Sequence, residues 1–126
     1  MNARRAALLV AAGRAAIGVA VLAAPEAVMS RWLGEDNASQ AAVKDLGRGL
    51  AARDLGLALA TWQTIDDPVA GSRVQAACAV ADVADTVGTL LAWRALPAKG
   101  AAATVLVAGG SAALGFHLAH RLGHEI

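Results

Sequence analysis

The sequence predicts an all-α fold, a four-helix transmembrane bundle with a short interfacial helix after the first span. Three observations predict it: an apolar composition with almost no large aromatic side chains, four apolar stretches of bilayer length, and ionisable residues at one common depth in the first three. Hydrophobic residues make up 57% of the 126 residues and charged ones 17%, while aromatics reach only 3%, with Phe116 the sole Phe and no Tyr. A soluble core of this make-up would rest almost wholly on Ala, Val and Leu. Helix contacts in lipid favour Gly, Ala, Ser and Thr, because they depend on close backbone approach rather than on expelling water.

A bilayer needs roughly 20 apolar residues at 1.5 Å rise each. The first stretch, about 6–24, follows Arg4 and Arg5 and ends before Pro25. Its basic start and its Leu22-Ala23-Ala24 end also resemble a cleavable signal peptide, but Arg14 interrupts the apolar run such a peptide needs. Cleavage would leave three spans. Pro25 to Gly34 places Val28, Met29, Trp32 and Leu33 on one face and Glu26, Ser30 and Arg31 on another, the pattern of a helix lying in the membrane interface. The second, third and fourth stretches fall at about 45–65, 73–94 and 101–121, separated by Asp66-Asp67-Pro68 and by Pro97 to Gly100. Asp67 before Pro68 reads as an N-cap and first helical residue. Trp32, Trp62 and Trp93 sit near span ends, the depth where a ring that is half apolar and half polar is best accommodated.

Lys and Arg outside the spans divide evenly: Arg4, Arg5, Arg73 and Arg121 on one side, Arg31, Lys44, Arg94 and Lys99 on the other. The basic residues before the first helix then favour both termini in the cytoplasm and a multi-pass place in the cell (inner or plasma) membrane. The even split also permits insertion both ways, and with it an antiparallel homodimer. A formal net charge of +1 with no basic cluster larger than Arg4-Arg5 speaks against nucleic acid as a partner. The expected partners are the lipid bilayer and a homo-oligomer or larger membrane complex.

The informative residues are the charges inside the spans: Arg14, then Arg48, Arg53 and Asp54, then Asp82 and Asp85. Each costs roughly 3 kcal/mol or more in hydrocarbon, so such residues face the bundle interior with partners. The midpoints of the first three spans fall near residues 15, 55 and 84, beside Arg14, Arg53/Asp54 and Asp82/Asp85, so three helices bring opposite charges to one plane. Asp82 and Asp85 share a helix face, whereas Arg53 and Asp54 point about 100° apart. Arg14 and Arg53 are expected near the Asp82/Asp85 face, with Arg48 about 7 Å nearer one surface, placed to snorkel or to cap the cluster. Three arginines and three aspartates sum to zero. One reading is structural, an ion-pair network that joins the helices and sets their register. The other is functional: two neighbouring aspartates cannot both ionise cheaply, so one trades a proton or binds a cation or polar ligand.

The fourth span offers Gly109, Gly110 and Ser111 at its centre, room for a close contact or a pocket. Ala52, Gly56 and Ala60, like Ala84, Gly88 and Ala92, form stripes of small residues suited to tight helix contacts. His117, His120 and His124 share a face near the C-terminus, where they could hold a transition metal or close the last turn and complement its dipole. No Cys or carboxylate completes that set, since Glu125 points away, and no metal or other cofactor is expected. Cys78, the only cysteine, reads as a packing residue. No GxSxG, P-loop or Rossmann fingerprint is present, so nothing argues for an enzyme.

Residues Gly49 to Ala58, with Arg53-Asp54 at their centre, resemble the Gly-x-Arg-Asp segment of a family of small bacterial and fungal four-helix membrane proteins known only as a domain of unknown function. That family has a following Asp in its third helix, here Asp82 or Asp85, and Ala24-Pro25 before a helix ending at Gly34 also fits. This sequence has Ala where a Gly often precedes the Arg-Asp pair. A more distant likeness is to the DoxX group. The resemblance implies the four-helix fold and marks Arg53, Asp54 and Asp82/Asp85, without a chemistry to transfer. The expected function is a structural, accessory or oligomeric membrane component. The alternatives are a small proton- or cation-coupled transporter using Asp82 and Asp85, and a membrane-embedded enzyme or binder of an apolar molecule beside Gly109 to Ser111.

Overall fold

Asn2 opens the first helix by accepting a hydrogen bond from the Arg5 amide at 2.9 Å, and α1 then runs Ala3–Ala23. The computed structural model describes residues 1–125, all of whose regular structure is helical. Pro25 takes the first position of α2 (Pro25–Leu33), where its missing N–H costs nothing, and Gly34, at φ +89°, turns the chain into the single turn α3 (Glu35–Ala38). Helix α4 covers Ala41–Thr64 and α5 covers Pro68–Leu91. Asp67 caps α5 as its sequence predicts, its Oδ1 accepting from the amides of Val69 at 2.9 Å and Ala70 at 3.0 Å. A 3-10 turn, Trp93–Ala95, leads to α6 (Ala98–His124). Each of the four long helices starts ahead of its apolar stretch, at Ala3, Ala41, Pro68 and Ala98, because polar flanks such as Lys44 and Arg73 continue in helical conformation; only α6 also runs past its stretch, to His124. The α3 turn was not anticipated.

Helices α1, α5 and α6 are each long and apolar enough to cross a membrane. The expected fourth, α4, has 24 residues and so the length, but Arg48, Arg53 and Asp54 fall within every 18-residue stretch of it, too many charges for it to qualify on composition. Among the described residues, three candidate spans and six α-helices therefore stand where four spans were expected.

The four long helices run up and down as two close pairs. In the first, α1 lies antiparallel on α4, and a Cβ at Gly18 would come within 2.9 Å of Leu55 Cγ. In the second, α6 lies antiparallel along most of α5, and a Cβ at Gly115 would meet the Ala79 Cβ at 3.0 Å. Contact between the pairs is sparser. The stripes of Ala52, Gly56, Ala60 and of Ala84, Gly88, Ala92 do not make the close contacts expected of them: most of these residues are exposed, and a Cβ at Gly56 or Gly88 would meet nothing within 4 Å.

Two small clusters close the ends of the bundle. Ala3, Ala7, Ile65, Leu118 and Leu122 pack at one end and Val21, Met29, Ala38 and Ala51 at the other. Helix α2 turns its apolar face inward onto the second cluster rather than outward, and Trp32 Nε1 donates to Thr89 Oγ1 at 3.3 Å instead of meeting the exterior. Trp62 and Trp93 are exposed at opposite ends of the bundle. An exposed ion pair, Arg4 Nε to Asp66 Oδ1 at 2.8 Å, ties the start of α1 to the α4–α5 turn and holds the Asp66 carboxyl below its ordinary range.

Candidate functional site

Midway along the bundle, the sparse contact between the two helix pairs is filled by charge. Arg14 on α1 donates from Nη2 to Asp82 Oδ2 on α5 at 2.6 Å and from Nη1 to Asp54 Oδ1 on α4 at 3.2 Å. Arg53 on α4 grips Asp85 with both ends of its guanidinium, Nη1 to Oδ1 at 3.0 Å and Nη2 to Oδ2 at 2.8 Å. The bidentate geometry is the strong form of this bond. Arg53 also reaches Asp54 Oδ1 at 3.0 Å, although adjacent helical residues point about 100° apart. The arginine side chain is long enough to bend back. The side chains of Arg14 and Asp82 are each 8% exposed, and Asp54, Asp85 and Arg53 are somewhat more open.

The common depth of Arg14, Arg53, Asp54, Asp82 and Asp85 and the nearness of both arginines to the Asp82/Asp85 face thus follow the sequence. Arg48 does not join them. It is exposed and makes no ion pair among the described residues; five helical residues turn it about 140° from Arg53. The network therefore does not balance: two arginines against three aspartates leave one formal negative charge in excess.

Beside the network lies a cavity of about 790 Å³ between the α1/α4 and α5/α6 pairs, extending to α2. The five networked residues form one part of its wall, and Ile17, Val21, Val28, Met29 and Trp32 form an apolar part. From α6, Ser111 lines it, as do Thr104, Val107 and Ala108. Gly109 instead packs on Thr86, its absent Cβ 3.8 Å from Thr86 Cγ2.

Sequence reading missed the polar seam that continues the network along α5. Gln75 Nε2 donates to Thr61 Oγ1 at 3.1 Å, and Thr61 lies 3.9 Å from the buried Cys78 Sγ. Thr89 accepts from Trp32 and donates to the Asp85 carbonyl at 2.7 Å. Gln75, Asp82 and Thr89 recur every seven residues, with Cys78 and Asp85 three after the first two, a heptad that marks one helix face. That spacing was the signal available.

The histidines lie apart from this site. His117, His120 and His124 are exposed on α6, the last two rings 4.2 Å apart between centroids, with His124 Nδ1 at 2.7 Å from the His120 carbonyl oxygen. No group of three His, Cys, Asp or Glu side chains placed to hold a metal occurs among the described residues. No family model matches the chain, nor does any curated protein or solved structure.

Proposed function

We propose that the protein is an integral membrane protein of four spans, α1, α4, α5 and α6, and that it acts as a structural or accessory component of a membrane assembly whose Arg/Asp network holds the two helix pairs together. The observation that carries the reading is the inversion of polarity. The buried positions are largely Ala with Thr61, Gln75, Asp82 and Thr89, while Leu9, Val80, Leu91 and Leu106 face outward. Leu91 and Leu106 are 85% and 75% exposed. In water that arrangement would leave an extended apolar exterior and bury charges; in a bilayer both are favourable.

Helix α4 belongs among the spans because its two deepest charges are neutralised by α1 and α5. Unpaired, Arg53 and Asp54 would cost roughly 3 kcal/mol each at mid-bilayer. Exposed Arg48, on the side of α4 nearer α2, reaches the interface by extending its side chain. The likeness of Gly49 to Ala58 to the Gly-x-Arg-Asp family is part of the same proposal, since the residues that likeness marks are those that pair here.

The test is a double-mutant cycle on Arg53 and Asp85. Arg53→Gln leaves Asp85 without its guanidinium, a loss of about 3–5 kcal/mol for fully buried pairs in soluble hosts and smaller for these partly open side chains; Asp85→Asn removes the bidentate partner of Arg53, which keeps Asp54. Each should lower the melting temperature in detergent, Arg53→Gln by more. The double variant should recover most of that loss. Singles and double that melt alike would show that the pair joins nothing.

A second reading, a proton- or cation-coupled carrier, is favoured by one observation: the network is short by one positive charge. Under that reading the double variant folds and the native activity is nonetheless lost.

A further inference from the structure

The excess negative charge and the cavity occupy the same place. Asp54 uses only Oδ1 and Asp82 only Oδ2 in the network; Asp54 Oδ2 and Asp82 Oδ1 accept no hydrogen bond among the described residues. Among the described residues no fully buried side-chain oxygen lacks a partner, so these two reach open space, and the residues that carry them line the cavity. One guanidinium, that of Arg14, bridges both carboxylates and so holds them side by side. Two free carboxylate oxygens with one uncompensated formal charge, beside the apolar stretch of wall formed by Ile17, Val21, Val28 and Met29, form a receptor for a cation that donates hydrogen bonds.

The rest of the cavity defines what must accompany that cation. Gly13 and Ile17 of α1 and Ala103 and Val107 of α6 line it and are also exposed, so it opens sideways between these two helices. A Cβ at Gly13 would meet nothing within 4 Å. On the proposed membrane reading, that slot faces lipid. Val21, Met29 and Trp32 continue the apolar wall toward α2. The cationic group on the wall outside the network, Arg31, is exposed on α2, at the opposite end of the membrane-crossing part of α1 from the N-terminus, and joins no ion pair among the described residues. The volume is that of an ordinary small-molecule site, about 300–1,000 Å³.

We infer that the cavity binds a lipophilic amine, a single-chain amphiphile that arrives from the bilayer through the α1/α6 slot, sets its ammonium on Asp54 Oδ2 and Asp82 Oδ1, and lays its chain along Ile17, Val21 and Met29. The inference rests on the membrane reading and goes beyond it. The ammonium replaces the missing positive charge, and its N–H groups satisfy both free oxygens. An alcohol of the same length makes one such bond without the charge, and a carboxylate is repelled.

The experiment is equilibrium binding of radiolabelled dodecylamine to the full chain in phosphatidylcholine nanodiscs, with empty nanodiscs subtracted and 1-dodecanol and dodecanoic acid as comparison probes. The amine should bind at least about tenfold more tightly than the alcohol, a difference of about 1.4 kcal/mol, and more tightly than the acid, which only Arg31 at the far end of the wall can meet. Asp82→Asn should bring the amine down to the level of the alcohol. Gly13→Leu, which leaves every ion pair in place and fills the slot, should abolish binding while melting like the wild type. Equal binding of amine and alcohol overturns the inference, as does an amine isotherm unchanged by Gly13→Leu. A chain that does not enter the nanodisc overturns the membrane reading as well, whereas one that enters and ignores the amine overturns this inference alone.

Discussion

Asp82 is almost fully enclosed and meets Arg14, equally enclosed, through a single oxygen. Its depth could be read in the sequence, as could the depth of Arg14, Arg53, Asp54 and Asp85, since span midpoints depend only on residue spacing. Which arginine meets which aspartate could not. Pairing depends on how far each helix is rotated about its own axis, and Arg48 shows the consequence: one and a half turns before Arg53, it faces away from the partners that Arg53 reaches. Trp32 is the same lesson in an uncharged residue. Proximity to a span end suggested an outward ring, but α2 folds inward and the indole bonds Thr89. Thr89→Val keeps the shape and removes the acceptor, so the Trp32 N–H is left without its partner. The expected cost is about 1 kcal/mol, read as a lower melting temperature in detergent, and Trp32→Phe in the Thr89→Val background should add little. Full additivity of the two changes would mean that the bond contributes nothing.

At the scale of helices, start and stop signals were legible because they are local. Pro25, Gly34 and Asp67-Pro68 each act through their own backbone or side chain within four residues, whereas the Asn2 cap was not read. Asp67→Ala should cost about 1 kcal/mol through the lost cap, measured by thermal melting, and Asp67→Asn should restore most of it; equal losses would place the effect elsewhere. The helix faces were less legible. In a chain this rich in alanine, small residues recur at four-residue spacing on several faces, and the sequence does not say which is used. Gly18 and Gly115 make the close approaches, and the two stripes picked out by spacing face outward. Gly115→Leu should therefore push α5 and α6 apart and destabilise the fold strongly, while Gly56→Leu, with open space around its Cβ position, should be tolerated. The Arg4–Asp66 pair joins two helix ends in the open and contributes little. Because Arg4 depresses the Asp66 carboxyl, its small contribution is present above the ordinary Asp value of about 3.9 and is lost as pH falls through the lowered one. Wild type and Asp66→Asn should differ slightly in melting temperature at neutral pH and coincide at the acid end; a difference that widens on acidification would contradict the pairing.

For the whole molecule, the composition already pointed to helices meeting through small side chains, and the described residues are helical throughout their regular structure. The number of crossings is a different matter, since it turns on whether α4 counts as apolar once its charges are paired. Composition assigns a charge the same cost wherever it points, whereas the fold turns Arg53 and Asp54 toward Arg14 and Asp85. A pocket beside Gly109 to Ser111 was expected and Ser111 lines the cavity, but its extent was not legible. It arises from two helix pairs that fit closely within themselves and loosely across, which no single helix encodes. The central claim, that α4 crosses the bilayer with its charges inside the bundle, is tested most directly by the two ends of that helix. In a Cys78→Ala background, the doubly substituted Asn37→Cys/Asp66→Cys protein is reconstituted in sealed vesicles, treated with a membrane-impermeant thiol reagent, and weighed as intact chains. Four spans predict one label on every chain, whichever way it has inserted, because the two positions lie on opposite sides. Chains carrying two labels or none would place both ends of α4 on the same side and contradict the account.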